Sequence, residues 1–388
     1  MITILSKFFI KNVSDANPNE IRRKYGVLFG AVGIGLNVIL FIIKIIAGIL
    51  SGSVAIVADA INNLSDGGSS IISLVGFKLS GQEPDPTHPF GHGRIEYVTG
   101  LIISMVIVMM GGELFFSSVK KIFNPTELVV NQVSITILVI SILIKLYMFY
   151  YNKTGSVKFK SAVMSATAMD SLCDSVSTLV VLICMLIYRF FGWNFDGIGG
   201  LLVGGFIIYT GIMSAKDTID PLLGAAPDKE FVEKIEKFVI SYDGIEGVHD
   251  LVVHDYGAGR MMISLHAEVS AEGNIMDLHD TIDNIERKLH DTLGCFAVIH
   301  MDPVMVNDEN TNRMKRLTEL VVKSIDEDMT IHDFRMVMGP THTNLIFDVV
   351  LPYYVKLTEE DAKNAIAKKI ESLPGNLFAV INVDRPMV

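Results

Sequence analysis

Six apolar runs, each long enough to cross a bilayer at roughly 20 residues per span, follow one another through the first half of the chain: Val27–Leu50, Val54–Leu79, Tyr97–Phe123, Val133–Tyr151, Ser161–Phe191 and Gly197–Lys216. Only "SGS" separates the first two, which predicts a tight hairpin. After "DPLLGAAPDKE" the apolar runs shorten and the period changes. Glu230–Ile240 has helical spacing, "GVHDLVVHDYGAGRMMISLHAEV" is two β-rich runs around a glycine turn, Ile275–Leu293 is helical again, and "CFAVIHMDPV" closes as a strand. The same order then recurs in Met314–Ile325, "IHDFRMVMGPTHTNLIFDVVL", Thr358–Ser372 and "LFAVINVDRP", an internal duplication with a period of about eighty residues. The pattern predicts an α-helical membrane domain of six transmembrane helices followed by tandem α+β ferredoxin-like cytosolic repeats. The expected divisions are an N-terminal segment 1–25, a six-helix transmembrane domain 26–221, a first repeat 222–306 and a second repeat 307–388.

Composition sharpens that division. Half of the 388 residues are apolar and 19% are charged, with a mean hydropathy of +0.44, values that fit a membrane protein. The net charge of −11 is carried by the second half: Met1–Ala226 holds 14 acids and 16 bases, Pro227–Val388 holds 29 acids and 16 bases. An acidic tail repels nucleic acid and suits metal cations. Arg22, Arg23 and Lys24 precede the first span, Lys78 and Arg94 flank the loop after the second, and Lys153, Lys158 and Lys160 follow the fourth. With an even number of spans these bases fall on one side, so both termini are expected in the cytoplasm, Lys120 and Lys121 being the dissenting pair. Cys173, Cys184 and Cys295 lack CxxC spacing and read as buried small residues. The first residues lack a small-residue cleavage site, so no cleaved signal peptide is expected.

Against this apolar background, acids within the spans are the informative residues, because an ionisable group at mid-bilayer costs several kcal/mol without a partner. Asp170 and Asp174 are four apart, on one helix face and one turn from each other; Asn62 and Asp66 repeat that spacing on the second span. Two helices that each present a pair of oxygens can close a four-ligand cage around a divalent cation, whose charge offsets three carboxylates. The competing reading pairs these acids with intramembrane bases, Lys44 and Lys145 being available, or lets them line a water cavity. Asp59 is a candidate outer relay or a helix-end polar residue, and Cys173 lies roughly 100 degrees round the helix from Asp174, where packing competes with ligation.

Six spans, paired oxygen ligands on the second and fifth, the loop "HPFGHGRIEY" and an α+β tail together resemble the cation diffusion facilitator family over roughly Tyr25–Val304. The resemblance implies a proton-coupled divalent-metal exporter acting as a homodimer in the cell (inner) membrane, in contact with lipid, with the tails meeting beneath it. Zinc members of that family usually carry a histidine in the fifth-helix pair; Asn62, Asp66, Asp170 and Asp174 are all oxygen donors, as in bacterial manganese exporters of the family. Oxygen donors favour Mn²⁺ over Zn²⁺, so Mn²⁺ is the expected cargo, with Zn²⁺ or Fe²⁺ export as the alternative and no resident cofactor. Transport-site carboxylates are expected to titrate as a coupled group, which would exchange protons for metal.

Further residues match family positions. Asp85, His88 and His92 correspond to a metal site on the second loop, although the histidines have an equal alternative in bonds to backbone. Arg94 and Asp220 match an interlocking charge pair near the dimer seam, with a solvated membrane-edge pair as the alternative. In the first repeat His249, His266, His279, His300 and Asp302 match cytosolic metal ligands. The second repeat keeps His332 and Asp384 but has Asp348, Asp361 and Asn382 where the other histidines stand, which reads as a decayed site serving packing or dimer extension; His254 and His290 read as surface histidines. Gly67, Gly68, Ser69 and Ser70 are expected to allow close sliding of helices. No nucleophile–base set is present, and "GGLLVGG" lacks the Lys-Ser/Thr of a phosphate loop, so neither an enzyme nor an ATPase is expected. A membrane-anchored metal sensor and a channel are the competing classes.

Overall fold

The computed structural model describes residues 18–51, 54–124, 132–257 and 260–386; most of the expected N-terminal segment, and the side chains of Asp59 and Asn62, lie outside the described residues. The chain forms two compact units, one of residues 1–225 with 256–259 and the other of residues 226–255 with 260–388.

In the first unit six long helices follow one another: α1 (Pro18–Ser51), α2 (Val54–Ser80), α3 (Ile95–Phe123), α4 (Gln132–Phe159), α5 (Ala162–Phe191) and α6 (Asp196–Leu223). Five of them, α1 and α3 to α6, are long and apolar enough to cross a membrane. Helix α2 is equally long at 27 residues but more polar, because Asn62, Asn63, Asp66 and the Gly67–Ser70 run interrupt its apolar positions. Large apolar side chains such as Ile46, Met109, Phe116, Leu143 and Leu202 point outward, the arrangement that a lipid solvent rewards.

Two of the expected spans end too early. The "NKTGSVKF" run was expected as a loop, yet α4 continues through it to Phe159. Asn152, Gly155 and Ser156 are buried there, Asn152 donates to the Met148 carbonyl at 3.1 Å, and a Cβ on Gly155 would clash with the Phe29 ring. The polar run is therefore a packed face of the helix. The turn into α5 is made by Lys160 at φ 47° and by Ser161, whose hydroxyl accepts from Met164 N–H at 3.2 Å as an N-cap. Helix α6 likewise runs past Lys216 to Leu223 and stops at Gly224 in the left-handed region.

Helices α3 and α6 approach closely along a seam of small residues. A Cβ on Gly204 would lie 2.8 Å from the Phe115 backbone nitrogen, and the Ser104 and Ser214 hydroxyls hydrogen-bond across the same seam at 2.8 Å. Of the expected sliding surface Gly67–Ser70, Ser70 packs closely on α1, where a Cβ on Gly33 would lie 2.7 Å from its hydroxyl, whereas a Cβ on Gly68 would meet nothing within 4 Å.

In the second unit the same α-β-β-α-β order occurs twice: α7 (Lys229–Ile240), β1 (Ile245–Asp255), β2 (Met261–Ser270), α8 (Ile275–Leu293) and β3 (Cys295–Val304), then α9 (Glu309–Lys323), β4 (Thr330–Met338), β5 (Thr343–Val350), α10 (Glu359–Glu371) and β6 (Leu377–Asp384). Each repeat is a three-stranded sheet, antiparallel between its first two strands and parallel between the last two. A complete ferredoxin-like unit would add a strand before the first helix; the observed class is α+β.

Strand alternation sorts the side chains. Ile263, Leu265, Ala267 and Val269 of β2 are buried with Ile282, Ile285 and Leu289 of α8, and Leu345, Phe347 and Val349 repeat this with Ile366 and Ile370 of α10. His266, His300 and Asp302, and correspondingly Asp348, Asn382 and Asp384, therefore stand on the opposite, helix-free face of each sheet. Both first strands carry an irregularity just after a histidine, with Asp250 at φ 51° and Asp333 at φ 49°, so the duplication preserves even this local bend.

Candidate functional site

Within the helical unit, α2 and α5 present their acids to each other. Asp66 and Asp170 are 7% and 5% exposed. Ser69, one turn on from Asp66, is buried with it and faces the Asp170 carboxyl. Between them stands a cation from α4: Lys145 Nζ donates to Asp66 Oδ2 at 2.8 Å and to Asp174 Oδ2 at 2.6 Å. A cavity of about 430 Å³ adjoins this triad, and its lining includes Lys44, Asn63 and Glu113. Asp66, Asp170, Asp174 and Glu113 thus set four carboxyl groups beside the two amino groups of Lys44 and Lys145.

Of the four expected transport ligands, the structure brings together Asp66, Asp170 and Asp174; the side chain of Asn62 lies outside the described residues. The rival reading, pairing with an intramembrane base, is realised too: Lys145 bridges two of the acids. Glu113 was missed, although an acid in "MMGGELFF" is as visible as the others. Cys173 is packed, its Sγ 3.3 Å from Thr210 Oγ1. A second buried pair, also missed, joins Arg22 to Glu96 at 2.8 Å; Glu96 also accepts from the Ser161 hydroxyl at the start of α5.

In the loop after α2, Asp85 folds the chain on itself, accepting from Thr87 Oγ1 at 2.6 Å, His88 N–H at 2.7 Å and Thr87 N–H at 2.8 Å. These bonds, the Thr87 hydroxyl foremost, hold its carboxyl well below the usual carboxylate range. The turn brings His88 Nδ1 and His92 Nε2 each to 3.3 Å from Asp85, and the buried His92 Nδ1 has no hydrogen-bond partner. The three therefore converge, while His88 Nδ1 also lies 3.0 Å from the Thr87 hydroxyl. Arg94 lies 4.6 Å from the Tyr256 ring centroid, and Asp220 is in the last turn of α6, where its carbonyl accepts from Ala225 N–H at 3.0 Å.

In the first repeat, Asp302 is a hub: His266 Nδ1 is 2.8 Å away, His300 Nε2 3.2 Å and His249 Nε2 3.3 Å. Strand register makes this hub, since His249, His266 and His300 are direct neighbours across β1, β2 and β3. His279 does not join them. It stands exposed on α8, on the far side of the sheet, and faces Asp283 at 3.8 Å, a helical i,i+4 neighbour. His290 is exposed as expected, and so is His254.

The sequence matches the profile of the cation efflux transmembrane domain over residues 31–223 and that of the cation efflux protein cytoplasmic domain over residues 227–304. The chain belongs to the cation diffusion facilitator family. Among the relatives of this cation diffusion facilitator, an uncharacterized transporter of Methanocaldococcus jannaschii is 31% identical over 278 residues, covering 69% of this chain and 95% of the relative. The manganese efflux system protein MneS of Bacillus subtilis is 26% identical over 282 residues, covering 72% and 97%. The cation-efflux pump FieF of Salmonella typhi is 30% identical over 270 residues, covering 69% and 89%. This cation diffusion facilitator is thus a multi-pass membrane transporter of the cation efflux class. Its second repeat lies outside both profile matches, which end at residue 304.

Proposed function

We propose that this transporter exports Mn²⁺ from the cytoplasm across the cell membrane in exchange for protons, as a homodimer with both termini cytoplasmic. The observation that carries the reading is the triad in which Asp66 and Asp174, on helices α2 and α5, share one buried ammonium. A site that holds a monovalent organic cation between two carboxylates has the charge and spacing to hold a metal cation in its place. The donors of Asp66, Asp170 and Asp174 are all oxygens, which favours Mn²⁺ over Zn²⁺. MneS is named for manganese efflux, while FieF is named only as a cation-efflux pump, so Zn²⁺ or Fe²⁺ is the alternative cargo.

In this reading Lys145 acts as a built-in counter-ion. Without metal its ammonium neutralises the acids and keeps the helices together, because unpaired buried carboxylates are costly. An arriving dication displaces the ammonium, and helix rearrangement opens the site to the other side. Protons then take over the carboxylates as metal leaves, and the ammonium returns when they are released inward. The polar cavity beside the triad supports access for ion and water. Tail histidines gathered on Asp302 support a second, cytosolic metal position that steadies the dimer.

The test is metal flux into proteoliposomes under an imposed pH gradient. Mn²⁺ movement that follows the gradient supports the proposal. Flux indifferent to the gradient removes proton exchange, and rescue of a metal-sensitive strain from zinc but not manganese transfers the assignment to zinc. A tail that binds metal while the helices move none would establish the sensor reading instead.

A further inference from the structure

The second repeat, expected to have lost its metal chemistry, carries the same architecture as the first on the same sheet face. Register places Asp348 opposite His332, as His266 is opposite His249, and Asn382 and Asp384 occupy the positions of His300 and Asp302. One donor atom each from His332, Asp348 and Asp384 lies within 4.8 Å of the others. His332 is 7% exposed and neither ring nitrogen has a hydrogen-bond partner. A buried imidazole left this way is costly and asks for a ligand. Asn382 meanwhile donates to both oxygens of Asp384 at 3.0 Å, fixing that carboxylate in orientation. Asp361, offered at the sequence level as another replacement, instead caps α10 with Thr358 and takes no part.

The same histidine also meets the first repeat. The rings of His249 and His332 are 4.4 Å apart, and Asp250 lies between the clusters, 3.4 Å from His249 Nδ1 and 3.6 Å from His332 Nε2. We propose that the second repeat holds a divalent cation on His332, Asp348 and Asp384, and that Asp250 links this position to the His249–His266–Asp302 cluster, so that metal fastens the two repeats of one chain to each other. One imidazole and two carboxylates suit a borderline-to-hard dication such as Mn²⁺, Fe²⁺ or Zn²⁺. Asp348 and Asn382 in place of the first repeat's His266 and His300 thus give a different donor set on the same sheet face. This inference does not depend on what the helical unit transports.

The test uses the full-length chain in detergent, stripped with chelator and dialysed against Mn²⁺ or Zn²⁺ alone, with bound metal counted by mass spectrometry. The Asp348→Asn/Asp384→Asn double variant is expected to hold one cation fewer per chain than wild type. In a His266→Ala/Asp302→Asn background that cation is expected to remain. An unchanged count in the double variant, with circular dichroism unaltered, overturns the proposal. A gain-of-donor variant guards against misfolding: Asn382→His restores the fourth donor of the first repeat and is expected to tighten Zn²⁺ binding by about tenfold or more. An unaltered Zn²⁺ affinity in that variant also counts against the site.

Discussion

Replacing Lys145 with methionine separates a counter-ion from a structural lysine. The substitution keeps the length and apolar stem but removes the ammonium that lies 2.8 Å from Asp66 and 2.6 Å from Asp174. Removing one partner of a buried ion pair costs about 3–5 kcal/mol, because the charge left behind is uncompensated. If metal takes the ammonium's place, that cost falls on the metal-free state alone, and the metal-bound state is spared the work of displacing the lysine. The full difference would tighten binding by about two to three and a half decades at 1.4 kcal/mol per decade. Protons that neutralise the acids in the variant recover part of it, so at least about a tenfold gain in Mn²⁺ affinity is expected, together with a lower melting temperature without metal and a larger metal-induced rise. Titration calorimetry and thermal unfolding of the full chain in detergent measure both, and Lys145→Arg, which keeps the charge, should stay close to wild type. Turnover in proteoliposomes should fall despite the tighter binding, since the returning ammonium no longer helps expel the metal. Equal or weaker Mn²⁺ binding by Lys145→Met, in a folded protein, would refute the idea that lysine and metal compete for one place.

Arg22→Met should lower stability by about 1–3 kcal/mol, since it removes the Arg22 hydrogen bonds to the buried Glu96 carboxylate of α3 and to the Phe159 carbonyl ahead of α5; thermal unfolding in detergent checks it, and Glu96→Gln, which removes the charge but keeps the shape, should cost less. Gly204→Ala is expected to destabilise by about 1–3 kcal/mol, because a Cβ there meets the Phe115 backbone at the α3–α6 seam, whereas Gly68→Ala, with open space around it, should cost nothing measurable in the same assay. Asp302→Asn should abolish metal binding by the first repeat, read as one fewer cation per chain, because three histidines share that carboxylate.

Elements long and strongly patterned were the ones visible in the string. The membrane-length runs and the duplicated tail follow from period alone, while His249, His266, His300 and Asp302 were picked out by resemblance to family positions, and strand alternation in the fold is what puts His266, His300 and Asp302 on one side of the sheet. Helix α4 outran its apolar run because Asn152, Gly155 and Ser156 are packed against neighbouring helices, a tertiary fact that hydropathy does not record. Lys145 was visible as an intramembrane base, but spacing along one helix says nothing about which of two other helices it faces, so the triad emerged only from the fold. The convergence in the second repeat was not legible for a different reason: histidine was used as the sign of a metal site, while the structure brings His332, Asp348 and Asp384 together with oxygen donors in place of imidazoles. His279 failed in the opposite direction, its match in sequence falling on a helix that packs on the wrong side of the sheet.

The central claim is that the acids of α2 and α5 bind the transported ion, and inside-out vesicles carrying wild type or Asp174→Ala test it most directly. With an imposed proton gradient, wild type should accumulate Mn²⁺ and the variant should not, while both remain folded in the membrane to the same extent. Mn²⁺ accumulation by the variant at the wild-type rate would contradict the account.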